Sequence, residues 1–106
     1  MHNPCAVIPV YKHEGAIATV VDALLDNELP CIPVDDASDA ACARELDRLS
    51  KRDKVFLVRL ASNQGKGAAV MCGLREASRL GFSHALQVDA DGQHDLQDVR
   101  RFIEHS

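Results

Sequence analysis

The sequence predicts an α/β fold: a mainly parallel sheet with helices on both faces, which makes a three-layer α/β/α arrangement. Four short, nearly continuous apolar segments alternate with longer segments whose apolar residues recur every three or four positions. The first pattern is typical of strands buried on both faces, and the second is typical of amphipathic helices. Because strand and helix alternate regularly, the strands are expected to run parallel, with helices on both faces of the sheet.

The predicted strands are short and end at residues that favour turns. They cover residues 5–8, 31–34, 55–60 and 85–88. Pro9 follows the first strand, and Pro30 and Pro33 lie near the two ends of the second, as expected for a residue that lacks a backbone donor. The third strand is the clearest by residue type, and the fourth ends abruptly in carboxylates.

A helix is predicted after each strand. Ser38 is the expected N-cap of the second helix, Gly81 lies at the end of the third, and Asp95 is the expected cap of the last. The apolar residues predicted to face the sheet are, helix by helix, Ile17, Val20, Val21, Leu24 and Leu25; Cys42, Leu46 and Leu49; Val70, Leu74 and Ala77; and Leu96, Val99, Phe102 and Ile103.

Composition excludes several classes of function. A chain of 106 residues is one domain or part of one, so residues 1–106 are assigned to a single unit. The formal net charge of −4 argues against a nucleic-acid surface, which is normally basic. No apolar run approaches the roughly 18 residues of a membrane span, and no signal-peptide pattern opens the chain. A cytoplasmic location is therefore expected.

The cysteines indicate a reducing compartment. Cys5, Cys31, Cys42 and Cys72 lie in apolar segments and show no Cys-x-x-Cys spacing. Buried, reduced thiols are therefore expected rather than disulfides or a zinc site.

Polar residues follow all four predicted strands. They are Tyr11 and Glu14 after the first strand, Asp35 and Asp36 after the second, residues 63–67 after the third, and Asp89 and Asp91 after the fourth. Each motif alone is explained by a turn or a helix cap, although N–H groups in the glycine-rich loop also suit a phosphate. The carboxyl ends of parallel strands share one edge of a sheet, where such sheets bind ligands. Four such loops at one edge predict a nucleotide site with a metal.

Asp89 and Asp91 are the candidate metal ligands. Residues two apart on an extended chain face the same side, so these carboxylates are expected to lie together. Their oxygens suit Mg²⁺ or Mn²⁺, and Mg²⁺ commonly takes one or two carboxylates plus substrate phosphates. The alternative interpretation needs no metal: a turn at Asp91 and Gly92, then a helix cap at Asp95.

Four motifs occur in order along nearly the whole chain. They are Val7-Ile8-Pro9-Val10-Tyr11-Lys12-His13-Glu14, Val34-Asp35-Asp36-Ala37-Ser38-Asp39, Asn63-Gln64-Gly65-Lys66-Gly67-Ala68-Ala69 and Asp89-Ala90-Asp91-Gly92-Gln93-His94. In order and spacing they resemble the motifs of family 2 glycosyltransferases, most of all the dolichyl-phosphate mannosyltransferase-like branch. The resemblance implies the Rossmann-like, nucleotide-binding half of a GT-A fold and a nucleotide-diphospho-sugar donor. It also implies inverting, Mn²⁺- or Mg²⁺-dependent glycosyl transfer to an unknown acceptor, such as a lipid phosphate or a cell-envelope glycan.

The resemblance also implies roles for individual residues. The donor-binding residues would be Pro9, Tyr11, Glu14, Asp35, Asp36, Lys66, Asp89, Ala90 and Asp91. Among them, Asp36 would accept a hydrogen bond from the base, with Asp35 in support. The metal that bridges the diphosphate would be held by Asp89, Asp91 and Gln93. His94 is expected to be exposed or to lie behind these ligands.

The chain departs from the family pattern in three respects. Lys12 stands where the family often has Asn, and Ala37 stands where it often has Gly, which matters if the backbone there needs a positive φ. The family's domain is also longer, and its acceptor site and catalytic base lie beyond the equivalent of Ser106. No catalytic residue is therefore assigned here, and the fragment alone is expected to be inactive. A severed sheet would leave an exposed edge, which predicts a homo-oligomer.

Two other classes of function remain open. One is a non-catalytic nucleotide-binding or assembly module that keeps the donor pocket without turnover. The other is an Mg²⁺-dependent phosphotransferase with an Asp-x-Asp-Gly motif. That class is disfavoured, because its acidic nucleophile normally follows the first strand, where this chain has Tyr11. For the full-length glycosyltransferase, the cytoplasmic face of the membrane is the alternative to the cytoplasm.

Overall fold

A computed structural model describes residues 3–12 and 14–90, without the side chain of Glu14. Its strands are β1 (Pro4–Val10), β2 (Cys31–Asp35), β3 (Val58–Arg59) and β4 (His84–Gln87), and its helices are α1 (Glu14–Asp26), α2 (Ala40–Leu49) and α3 (Lys66–Arg79). All the pairings are parallel, in the order β3-β2-β1-β4. The predicted alternation of strands and helices and the parallel sheet are confirmed. The helix predicted after Asp95 lies outside the described residues.

Helices cover both faces of the sheet, so the predicted three layers are also confirmed. On one face, Ala6, Ile8 and Val10 of β1 belong to a core with residues of α1 and α2. On the other face, Cys5 and Val7 belong to a second core with residues of α3. Successive strand residues face opposite sides, which is why one strand supplies both cores.

Small residues bring α3 close to the sheet. Its buried residues are Ala69, Gly73 and Ala77, whereas Leu74 is exposed. The predicted inner face was therefore right for Ala77 and wrong for Leu74. A helix that approaches a sheet so closely leaves room only for small side chains, and the larger Leu74 lies on the outside.

Two prolines determine where the strand pairings end. Cys31 and Asp35 of β2 exchange hydrogen bonds with the segment containing β3, but Pro33 between them has no N–H to donate. The third strand is consequently shorter than predicted, with only an isolated bridge from Cys31 to Val55 before it.

Pro9 has the corresponding effect on the other side of β1. Pro9 was predicted to follow the first strand, but it lies inside β1. The pairing of β1 with β2 continues to Val10. The pairing of β1 with β4 already ends at Val7 and Gln87, because Pro9 cannot donate the next hydrogen bond. From Pro9 onward, β1 and the segment that follows β4 are therefore not paired with each other. This gap lies at the point where strand order reverses.

Other features of the described part bear on the predictions. Asp39, and not Ser38, is the N-cap of α2, where its carboxylate accepts from the Cys42 N–H at 3.1 Å.

All four cysteines are free thiols. No helix within the described ranges is long and apolar enough to cross a membrane. β4 is an edge strand of the described sheet, and self-association through that edge stays a prediction.

Candidate functional site

A cavity of about 310 Å³ lies at the carboxyl ends of the strands, beside the point where β1 and β4 cease to pair with each other. Its lining residues are Pro9, Val10, Tyr11, Asp36, Asn63, Gly65, Lys66, Ala69, Asp89 and Ala90. The volume is at the low end of the range of about 300–1,000 Å³ for small-molecule sites. The predicted convergence of four loops at one edge is therefore found in the structure.

The buried carboxylate of Asp36 fastens the glycine-rich loop. Its Oδ1 accepts from the Gln64 N–H at 2.7 Å, and its Oδ2 accepts from the Gly65 N–H at 2.9 Å and from Asn63 Nδ2 at 3.2 Å. Asn63 Nδ2 also lies 3.1 Å from the carbonyl oxygen of Asp36. A carboxylate has about four lone-pair sites, so these three donors leave roughly one site for a ligand.

Asp35 faces the opposite side of the sheet from Asp36. One of its oxygens accepts from the Ser38 N–H at 2.9 Å, and the other accepts from Arg59 Nε at 3.0 Å. This contact with a buried carboxylate is the main reason why the pKa of the Arg59 guanidinium is raised above its usual range. Asp35 thus supports the turn after β2 and does not line the cavity.

Lys66 and Asp89 form an ion pair across the cavity. Lys66 is the first residue of α3, and its Nζ lies 2.7 Å from Asp89 Oδ1. The side chains are 59% and 38% exposed, respectively, so both remain accessible to a ligand. Gly65, which precedes the helix at φ 92°, offers no side-chain cap. The pair places one positive and one negative charge beside an uncapped helix N-terminus, which favours anions.

Two backbone positions beside the cavity are in the left-handed region. Lys12 has φ 60° and Ala37 has φ 58°, although neither is glycine or asparagine. The turns that contain them are joined by Ser38, whose Oγ donates to the Val10 carbonyl and accepts from the Lys12 N–H, each at 3.3 Å. Lys12 and Ala37 depart from the family pattern, which often has Asn and Gly at these positions. The left-handed backbone found at both positions favours Asn and Gly. Tyr11 is 43% exposed, with Lys12 Nζ 5.1 Å from its ring centroid.

The carboxylate oxygens of Asp89 fit a divalent cation that is shared with a phosphate ligand. Within the described ranges, no three His, Cys, Asp or Glu side chains are grouped to hold a metal by themselves. The carboxylate of Asp89 lines the cavity, and Mg²⁺ is commonly held by one or two carboxylates plus phosphate oxygens. The other predicted ligands, Asp91 and Gln93, lie outside the described residues.

Most of the predicted site residues that the structure describes lie together. Those that line the cavity are Pro9, Tyr11, Asp36, Lys66, Asp89 and Ala90. The prediction for Glu14 concerns a side chain that is not described. Sequence reasoning did not select Asn63, although the Asn-x-Gly-Lys motif containing it was recognised. Its contact with Asp36 could not be inferred, because it joins residues 27 positions apart.

The sequence matches known proteins over most of its length. The family described as glycosyl transferase family 2 matches residues 5–106. UDP-N-acetylglucosamine–dolichyl-phosphate N-acetylglucosaminyltransferase from Methanococcus voltae is 33% identical over 112 residues, covering 92% of this chain and 45% of that protein. Polyprenol monophosphomannose synthase from Mycolicibacterium smegmatis is 29% identical over 103 residues, covering 92% and 38%. This chain therefore spans less than half the length of either relative.

Solved structures of glycosyltransferases share the fold. S. aureus TarS 1-349 in complex with UDP superposes with a TM-score of 0.73 at 21% identity, covering 96% of this chain and 32% of that chain. Mannosyltransferase PcManGT from Pyrobaculum calidifontis, in complex with GDP-Man and Mn²⁺, gives 0.72 at 22% identity, covering 84% and 27%. At these identities the likeness shows the fold alone, and the expected GT-A class is confirmed. The match over residues 5–106 establishes that this chain belongs to glycosyl transferase family 2.

Proposed function

We propose that the cavity binds the nucleoside diphosphate of a nucleotide-sugar, and that this chain is the donor-binding part of an inverting glycosyltransferase. The observation that carries the proposal is the cavity itself. It lies where strand order reverses, and it combines an uncapped helix N-terminus, a lysine and a carboxylate. That set of groups suits a diphosphate and its cation.

The parts of the donor correspond to different walls of the cavity. The exposed ring of Tyr11 and the apolar surface of Pro9 suit the nucleoside. Asp36 has roughly one lone-pair site left for a donor group of the base. Lys66 suits the diphosphate, because its side chain lines the cavity from the start of α3.

A bound Mn²⁺ or Mg²⁺ would neutralise the negative charge that develops on the departing nucleoside diphosphate. Asp89, Asp91 and Gln93 are the proposed ligands. The residues of this chain have a binding and orienting role, and no catalytic base is assigned among them. The relatives named for dolichyl phosphate and polyprenol support a lipid phosphate as the acceptor. For the full-length protein, the proposed location is the cytoplasmic face of the membrane.

Calorimetry of this chain with GDP and with UDP, each in Mn²⁺ and in EDTA, tests the proposal. We expect at least one of the two diphosphates to bind in Mn²⁺, and to bind much more weakly in EDTA. The corresponding monophosphate is the control ligand, since it lacks the second phosphate that the cation would bridge. If neither diphosphate binds at millimolar concentration in Mn²⁺, the proposal is wrong.

A further inference from the structure

We propose that Lys66 is the resident counter-ion of Asp89, so that Lys66 and the divalent cation compete for this carboxylate until a nucleoside diphosphate draws the lysine away. This inference rests on the proposed function, because it concerns the same cavity. It goes further because it assigns the coupling between metal binding and nucleotide binding to the side chain of Lys66. The starting observation is the 2.7 Å contact between Lys66 Nζ and Asp89 Oδ1.

The contact opposes metal binding at the same oxygen. An ammonium group and a divalent cation held beside one carboxylate oxygen would repel each other at close range. This repulsion favours the departure of Lys66 from Asp89 when a cation binds there. Both side chains are substantially exposed, and exposed ion pairs are weak, so the exchange is easy.

The new position for Lys66 is set by the loop that holds it. The bonds from Asp36 to the N–H groups of Gln64 and Gly65 fasten the two residues before it, so the backbone of Lys66 starts from a fixed point. Its flexible four-carbon stem and three donors then allow the ammonium to turn towards phosphate oxygens at the same helix N-terminus. One charge thus serves the carboxylate before the nucleotide binds and the diphosphate afterwards.

Two consequences follow for binding. Without nucleotide, Lys66 weakens the affinity for the cation. With nucleotide, the lysine is removed from Asp89, so the nucleotide raises the affinity for the cation, and by linkage the cation raises the affinity for the nucleotide equally. The pair therefore favours joint binding of the two and disfavours loading of the metal alone.

The test compares Lys66→Met with Lys51→Met. Lys51 is an exposed residue in the turn after α2, where the chain has returned to the amino ends of the strands, and its loss changes the net charge equally. Mn²⁺ affinity without nucleotide is measured from the electron paramagnetic resonance signal of free Mn²⁺. We expect affinity to rise about fivefold in Lys66→Met, the equivalent of one exposed ion pair. In Lys51→Met it should change by less than about twofold, since salt screens distant charges.

A second pair of variants assigns the effect to the contact itself. In an Asp89→Asn background the carboxylate charge is absent, so adding Lys66→Met should no longer raise Mn²⁺ affinity. In the otherwise unchanged chain, Lys66→Met should also weaken GDP or UDP binding in Mn²⁺ and reduce the factor by which nucleotide strengthens Mn²⁺ binding.

The outcomes separate this inference from the proposed function. If Lys66→Met and Lys51→Met have the same Mn²⁺ affinity, or neither they nor the unchanged chain bind Mn²⁺, competition at Asp89 is refuted. This holds even when a diphosphate binds. If the unchanged chain binds no diphosphate, the proposed function fails, while a rise in Mn²⁺ affinity in Lys66→Met alone would still support the competition.

Discussion

Gly73 of α3 lies directly over Val7 of β1: a Cβ atom on the glycine would be 2.3 Å from Val7 Cγ1. It would also be 3.0 Å from Val34 Cγ2. Both valines are fully buried, so neither side chain can move out of the way at little cost. The glycine is therefore a requirement of the contact between helix and sheet.

Gly73→Ala should accordingly destabilise the protein. Overpacking of a well-packed core costs about 1–3 kcal/mol, and the gain in helix propensity returns about 1 kcal/mol. With a contact this short we expect a net loss of about 1–2 kcal/mol in the free energy of unfolding, measured by urea denaturation. Gly67→Ala is the control, because its Cβ would meet nothing within 4 Å and the change should stabilise α3. Equal effects of the two substitutions would contradict the close approach.

Ala37→Gly should stabilise the protein, although glycine usually does the opposite. Ala37 has φ 58°, a conformation that costs an L-residue about 1–2 kcal/mol and glycine almost nothing. Part of this gain is lost to the greater freedom of glycine in the unfolded chain. We expect the free energy of unfolding to rise by about 0.5–1 kcal/mol in urea. Ala41→Gly, an exposed position within α2, should lower it by about 1 kcal/mol. A loss of stability in Ala37→Gly would argue against the left-handed turn.

Asp36→Asn should loosen the loop before α3. The amide offers one oxygen where the carboxylate offers two, and its NH₂ group would face N–H groups that need an acceptor. Leaving a buried donor without a partner costs about 1–3 kcal/mol. Faster amide hydrogen exchange at Gln64 and Gly65 should accompany the loss of stability. Asp39→Asn is the matched control, since Asn caps a helix as well as Asp does. Unchanged exchange at both amides in Asp36→Asn would contradict the assigned contacts.

The sequence was sufficient for the features that depend on local pattern. The order of the strands and helices followed from apolar periodicity, and the clustering of Asp36, Lys66 and Asp89 followed from the geometry of parallel strands. Features that depend on contacts between distant segments could not be predicted. Leu74 was expected inside, because periodicity favours large apolar residues and cannot show that α3 approaches the sheet through Gly73.

The same reason explains the details of the cavity. Pro9 was recognised as a strand-ending residue, but which neighbour would lose its hydrogen bond depends on the register with β4. A positive φ at Ala37 could be considered from the sequence but not predicted, because the residue type does not determine the backbone angle. The three donors to Asp36 come from a loop that lies close only after the sheet has formed.

Buried thiols should make the protein less stable at high pH. Burial raises the pKa of Cys5 from 9.0 to about 11 and that of Cys31 to about 12. The unfolded chain therefore loses these protons at lower pH than the folded protein does, so the free energy of unfolding falls as pH rises above about 9. At about pH 10 the loss is on the order of 1 kcal/mol for each thiol.

Urea denaturation at about pH 8 and pH 10 measures this effect. Cys31→Ala removes one of the two thiols, so the stability lost between these pH values should be smaller by about 1 kcal/mol. The difference between variant and unchanged protein cancels the contributions that the two proteins share. The same loss with pH in both proteins would contradict the shifted thiol.

The last prediction concerns Asp91, which lies outside the described residues and is the proposed link between the metal and the diphosphate. A nucleoside diphosphate at about 100 times its dissociation constant should add roughly 2.7 kcal/mol to the free energy of unfolding. Removing Mn²⁺ should abolish most of that gain, because Asp36 and Asp89 would then face a bare diphosphate. Asp91→Asn keeps the shape but removes a ligand charge, so calorimetry should show the same weakening as EDTA does. Asp36→Asn should weaken nucleotide binding yet leave it dependent on Mn²⁺, and the control His94→Ala should change little. Nucleotide binding at full strength in Asp91→Asn, or in EDTA, would refute the metal bridge and would favour a plain turn and helix cap after β4.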